Sequence, residues 1–299
     1  MKTPQQALVI QGGGFKTAFT TGVLDAFLEA NHNPFMIYAG VSGGANALSY
    51  YLADQHGSCI ASIEELMKDT QPKLSRIVKT GTILNVDFFH EIADSLVPLN
   101  MQHIIRHQLH KKIGIVMTNR ETGNPHYFEP SPENWVEALI ASCALPFVSK
   151  GKHTINGVEY MDGGWSDPIP VEWAIRQGAT DITVIRTSPA QQRQKQALHD
   201  YLGSLYHRKD EVLKTVFAEN HLRYNQTLDF IEANPHNVTI RQIAPEHDLQ
   251  TGSFTKMKKA LYPDYEYGVK LGREYLDLLA QETSPFSELS ETKNPASLI

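Results

Sequence analysis

The chain has 299 residues, 41% of them hydrophobic and 20% charged, which is the make-up of a folded globular protein and excludes disordered and fibrous classes. A net charge of −6 with no run of Lys or Arg leaves no nucleic-acid footprint. It also gives no global pull toward anionic lipid, so membrane contact is expected to be at most peripheral.

The elements follow in chain order. Ala7-Leu8-Val9-Ile10 is short and continuously apolar, the pattern of a central parallel strand, and Gln11-Gly12-Gly13-Gly14 follows at once. From Phe15 to Ala30 the apolar positions fall at three- and four-residue spacing and predict an amphipathic helix. A second strand over Phe35–Ala39 leads into Gly40-Val41-Ser42-Gly43-Gly44, and a helix over Ala45–Ala53 completes a βαβα unit. Residues 62–110 read as mostly helical, with Ile63, Leu66, Met67, Leu74, Ile77 and Val78 in one stripe and Phe88, Phe89, Ile92, Leu96 and Val97 in another. The aromatics among them line either a core, an acyl-chain groove or a lid. Strands are expected at Ile113–Thr118 and His126–Phe128, and a helix over Pro132–Ala144 ahead of Pro146. Asn156-Gly157 marks a hairpin that delivers the chain to Asp162-Gly163-Gly164. A helix near Val171–Gln177, a buried strand at Ile182–Ile185, helices over residues 198–233, an edge strand at Val238–Ile243 and a helix at Tyr265–Ala280 follow. One domain over residues 1–299 is expected: a motif-bearing core at about 7–186, a helical part at about 198–280 and a polar tail at 281–299.

Cys59 and Cys143 are far apart, and no apolar stretch approaches the roughly 18 residues needed to span a bilayer. With no signal-peptide core at the N-terminus, the expected location is cytoplasmic. His and Cys do not cluster at ligand spacing, so neither a metal nor a cofactor is expected.

Three glycine clusters carry the chemistry. Ser42, flanked by Gly40, Gly43 and Gly44, reads either as a nucleophile on a strained strand-to-helix turn or as a plain helix cap. Acyl transfer needs a nucleophile, a base and oxyanion donors; Ser42, Asp162 and the amides of Gly12, Gly13, Gly14 and Gly43 supply all three if the turns converge at strand ends. Lys16 either adds positive charge there or is solvated. A dinucleotide fingerprint would need Gly at position 17, which is Thr, and a phosphate loop would need Gly at position 15, which is Phe. An α/β-hydrolase would draw on a later histidine (His199, His207, His221, His236 or His247), but only one βα unit precedes Ser42.

Taken together, Gly12-Gly13-Gly14-Phe15-Lys16, Gly40-Val41-Ser42-Gly43-Gly44 and Asp162-Gly163-Gly164 resemble the motifs of a patatin-like phospholipase of the bacterial cytosolic kind. Ala141–Pro146 and Asp167–Val171 are similar to its flanking segments, and the likeness spans about Ala7 to Arg186. The resemblance implies a three-layer α/β/α fold with a mostly parallel central sheet. It also implies a Ser42–Asp162 dyad without histidine, an oxyanion hole in the first glycine turn, and hydrolysis of lipid or small carboxylic esters. Gly163 and Gly164 shape the aspartate's turn. Lys16 stands where arginine is common and Thr17 where glycine is common, which bears on the width of the hole. An acyltransferase on the same dyad and a binding module on the same fold are the alternatives. An aspartate at its ordinary pKa of ~3.9 is a weak base, so no essential ionisation near pH ~6.5 is expected.

Overall fold

The computed structural model of the chain describes residues 5–69, 88–108, 110–146, 149–234, 237–253 and 258–282. The predicted positions Leu74, Ile77, Val78 and His236 and the tail beyond Glu282 lie outside the described residues.

Among the described residues eight strands form one sheet: β1 (Gln6–Ile10), β2 (Ile37–Val41), β3 (Lys112–Asn119), β4 (Pro125–Phe128), β5 (His153–Ile155), β6 (Val158–Asp162), β7 (Asp181–Ile185) and β8 (Thr239–Ile243). Their order is β5-β6-β3-β2-β1-β7-β8, with β4 also paired to β3. The five strands β3, β2, β1, β7 and β8 run parallel, while β4 and β6 pair antiparallel with β3, and β5 antiparallel with β6. A central parallel strand is buried on both faces, which is why β1 reads as an unbroken apolar run. Leu8 and Ile10 face helices α1 (Thr17–Glu29) and α2 (Gly43–Leu52), whereas Ala7 and Val9 pack with Trp173, Tyr224, Leu228 and Ile231 on the other side. Helices on both faces of a mostly parallel sheet make the expected three-layer α/β/α arrangement.

Within the described residues the predicted strands and helices are present, with ends moved by at most four residues. The expected Asn156-Gly157 hairpin joins β5 to β6, and β6 runs antiparallel along β3 at the edge of the parallel set.

The region after β7 is built into the same body. β8 extends the sheet, and the helix Leu261–Glu282 lies on α1 at close range. A Cβ on Gly268 would sit 2.0 Å from the Phe19 carbonyl oxygen, and one on Gly22 2.0 Å from that of Tyr265. Glycine at both positions lets the two backbones touch. Across the same seam the Tyr265 hydroxyl donates to Asp25 at 2.9 Å.

Candidate active site

Ser42 lies between β2 and α2 with φ 53° and ψ −127°, a backbone conformation a non-glycine residue adopts only at a cost of about 1–3 kcal/mol. The surroundings hold it there. Gly40 meets the first turn of α2 so closely that a Cβ would lie 2.8 Å from Ala45 Cα, and a Cβ on Gly44 would lie 2.7 Å from the Gln11 carbonyl oxygen. The Ser42 amide donates to Ser142 Oγ at 2.8 Å, and that hydroxyl donates to the Val116 carbonyl at 2.6 Å. Ser142 thus pins the turn to both β3 and the helix Trp135–Ser142. Sequence reasoning gave it no role; its only signal was a serine within Ala141–Pro146.

Register brings the aspartate alongside. Val41 pairs with Val116 and Asp162 pairs with Met117, so the residue after Val41 and the last residue of β6 reach the same level from opposite directions. Asp162 is 4% exposed. Its Oδ1 accepts the Gly164 amide at 2.8 Å, and its Oδ2 has no hydrogen-bond partner among the described residues. Burial pushes this carboxyl from 3.8 up to about 6, opposed by the Ser42 hydroxyl and the Gly164 amide. The hydroxyl is near enough to act on the charge without completing a hydrogen bond of normal geometry, so Oδ2 stays open. The expectation of a carboxyl at its ordinary pKa therefore does not hold: the sequence shows an Asp-Gly turn but not its burial.

The first glycine turn closes the site from β1. A Cβ on Gly12 would lie 2.9 Å from the Val41 carbonyl oxygen, and one on Gly43 would lie 2.9 Å from that of Gly14, so the two turns touch. Gly14 has φ +56°, which glycine adopts freely. The Gly12 carbonyl accepts from Thr187 Oγ1 at 2.7 Å, and the Phe15 amide donates to the Ser253 carbonyl at 3.3 Å. The amides of Gly12, Gly13, Gly14 and Gly43 have no acceptor among the described residues. Gly43 opens α2, where the unpaired amides and the helix dipole favour negative charge. Lys16 sits at the start of α1 and lines the same cavity as Ser42 and Asp162. Gly163 lies against β3, where a Cβ would be 2.2 Å from the Val116 carbonyl oxygen. All the predicted site residues are thereby brought together.

Arg186 was not foreseen. It is fully buried at the end of β7, and its guanidinium donates to Gln11 Oε1 at 2.8 Å, Gln242 Oε1 at 2.7 Å, the Tyr224 hydroxyl at 2.8 Å and the Ala190 carbonyl at 3.2 Å. No carboxylate pairs with it among the described residues. It anchors the residue that precedes the glycine turn.

Ser42 stands where two cavities meet. One is a polar basin of about 490 Å³ shared with Gly12, Gly13, Gly14, Lys16 and Asp162. The other is an apolar crevice walled by Phe15, Ile63, Leu66, Phe89, Cys143 and Leu145. The helical stripe residues Ile63, Leu66 and Phe89 are therefore both core and cavity wall. No histidine lines either cavity among the described residues. Cys143 is buried beside the site, its thiol pushed well above the ordinary range by desolvation, so it is not a competing nucleophile. Among the described residues, no group of three or more His, Cys, Asp or Glu side chains is placed to hold a metal ion.

The family model described as Patatin-like phospholipase matches residues 8–175. The chain belongs to the patatin-like phospholipase family. Every predicted site residue of this patatin-like chain falls inside that stretch, and the match supports a lipid acyl hydrolase activity in general terms. A second family model, a domain of unknown function (DUF6363), matches residues 213–283. The uncharacterized protein YjjU of Escherichia coli (strain K12) is 32% identical over 310 aligned residues, which cover 98% of this patatin-like chain and 84% of YjjU. Among solved structures, VipD from Legionella pneumophila aligns over 92% of this chain and 67% of its own, with 10% identity and a TM-score of 0.42. No helix among the described residues is long and apolar enough to cross a membrane.

Proposed function

We propose that the chain is a serine hydrolase that cleaves lipid acyl esters through an acyl-Ser42 intermediate. The observation that carries this reading is the place of Ser42 between an apolar crevice and a polar basin, since a lipid ester has an apolar acyl chain on one side of its carbonyl and a polar alcohol on the other. Ser42 Oγ attacks the ester carbonyl while Asp162 Oδ2 takes its proton. The amides of Gly12, Gly13, Gly14 and Gly43, with the charge of Lys16 nearby, stabilise the oxyanion. Collapse of the tetrahedral intermediate expels the alcohol, which receives the proton from Asp162. Water, deprotonated by the same carboxylate, then attacks the acyl-enzyme and frees the fatty acid and Ser42. Gly40, Gly44, Gly163 and Gly164 act by letting the three turns approach. Residues 213–283 belong to the same working unit, because Ser253 lines both cavities. Cytoplasmic residence is part of this proposal.

A fluorophosphonate probe followed by intact-mass spectrometry tests it. Adduct formation on Ser42, lost in Ser42→Ala, is the expected result; a protein that takes up no label is a binding module and the reading fails.

A further inference from the structure

The helix Leu198–Tyr206 presents its apolar residues to the outside. Leu198, Tyr201, Leu202, Leu205 and Tyr206 recur at three- and four-residue spacing and so share one face. All five are exposed, from 48% at Leu205 to 75% at Tyr206. The opposite face fixes the helix to the body. Gly203 lies on the Phe217 ring, so close that a Cβ would be 2.5 Å away, and buried Asp200 accepts the Ala197 amide and the Asn220 side chain, each at 3.2 Å.

Charge selects what this face meets. From Lys195 to Lys209 the exposed ionised side chains are Lys195, Arg208 and Lys209, and the one acid, Asp200, is turned inward. The next acids are engaged elsewhere: Asp210 caps the Leu213 amide at 3.1 Å, and Glu211 pairs with Lys214 at 3.0 Å. In a chain of net charge −6, this apolar face is flanked by cations at both ends of its helix. That is the composition of a helix lying in the headgroup layer of an anionic bilayer. A second copy of the chain docked face to face would set the same cations against each other.

The position is apt as well. Arg193, Gln194, Lys195 and Ala197, at and before the start of the helix, line the basin that reaches Ser42. Beneath Gly203, Phe217 packs edge-on against Trp165 at 4.5 Å between ring centres, three residues after Asp162. We propose that Leu198–Tyr206 with its flanking cations is a docking surface for anionic lipid bilayers, set beside the mouth of the basin. Only the delivery of lipid to Ser42 rests on the hydrolase reading; the docking itself does not.

Flotation of the full chain with vesicles tests this, using phosphatidylcholine alone against equal parts phosphatidylcholine and phosphatidylglycerol. The protein is expected to float with the anionic vesicles, less so at high salt, and to remain behind with phosphatidylcholine. The double variants Leu202→Asp/Leu205→Asp and Arg208→Glu/Lys209→Glu are each expected to lower binding about tenfold or more. Their fluorophosphonate labelling and hydrolysis of a soluble short-chain ester should stay at the level of the unaltered protein. Equal binding by the variants, equal binding to both vesicles, or a solution dimer broken by Leu202→Asp/Leu205→Asp overturns the proposal. A Ser42→Ala protein that still floats supports docking whatever becomes of the chemistry.

Discussion

The raised pKa of Asp162 makes the pH dependence of turnover a direct test of its proposed role as base. With the carboxyl at about 6, about nine-tenths of the free protein is ionised at pH 7 and about one-tenth at pH 5, so kcat/KM on a soluble short-chain ester should fall about tenfold over that interval. A carboxyl at its ordinary 3.8 would leave the rate nearly flat across the same range. Stability should move in the opposite sense. The folded protein binds this proton more tightly than the unfolded chain, so the group's penalty is absent below about pH 4, grows between pH 4 and 6, and is complete above about pH 6. A rise from 3.8 to about 6 corresponds to about 3 kcal/mol, so Asp162→Asn should be more stable than the parent by up to about 3 kcal/mol at pH 7 and by little at pH 4. The same variant should have almost no turnover. Initial rates from pH 5 to 8 and urea unfolding at both pH values read out the two effects. Asp167 is raised to about 6 by burial as well, so Asp167→Asn is the control that must retain the acid limb. A flat rate profile, or a limb that disappears in a histidine variant, refutes the assignment.

Three further outcomes are expected. Gly163→Ala places a methyl 2.2 Å from the Val116 carbonyl oxygen and should cost about 3 kcal/mol or more, seen as a lowered Tm together with lost labelling of Ser42; an unchanged Tm would contradict the packing described. Phe89→Ala enlarges the apolar crevice, so the ratio of kcat/KM for long over short acyl esters should rise several-fold, with each further methylene worth about 1 kcal/mol or more; an unaltered chain-length profile would place the acyl chain elsewhere. Arg186→Met leaves Gln11, Gln242 and Tyr224 without their donor and should destabilise by about 2–4 kcal/mol. It should lower kcat more than it raises KM, and a pure KM effect would show that Arg186 does not support the glycine turn.

Much of the fold was legible because its signals are local. β1, β2 and β7 are apolar runs closed by glycine or polar turns, and α1 shows its period plainly. The meeting of the glycine turns was legible because close backbone approach demands glycine, and that demand is written at Gly12, Gly40, Gly43 and Gly163. What depended on long-range geometry was not. The Asn156-Gly157 hairpin sets β6 against β5, but the pairing of β6 with β3 is chosen by the sheet. Burial of Asp162 is a property of its neighbours, and so is its pKa. Arg186 looks like any charged residue after a strand until the cavity between β1, β8 and Tyr224 is assembled around it. The helix Leu198–Tyr206 misleads in the opposite sense, since three- and four-residue spacing of Leu and Tyr ordinarily marks a face turned to the core. Its outward face appears only once Gly203 is seen against Phe217.

The close seam between α1 and the helix Leu261–Glu282 also sets the order in which the protein can be completed during its own synthesis. β1 and α1 are made before the segments they lean on: β1 waits for β7 as its second neighbour, α1 waits for Gly268, and the turn between them waits for the carbonyl of Ser253. A nascent chain therefore carries Ser42 without its finished surroundings until Ser253 and Gly268 have been made, so the turn around it is completed late.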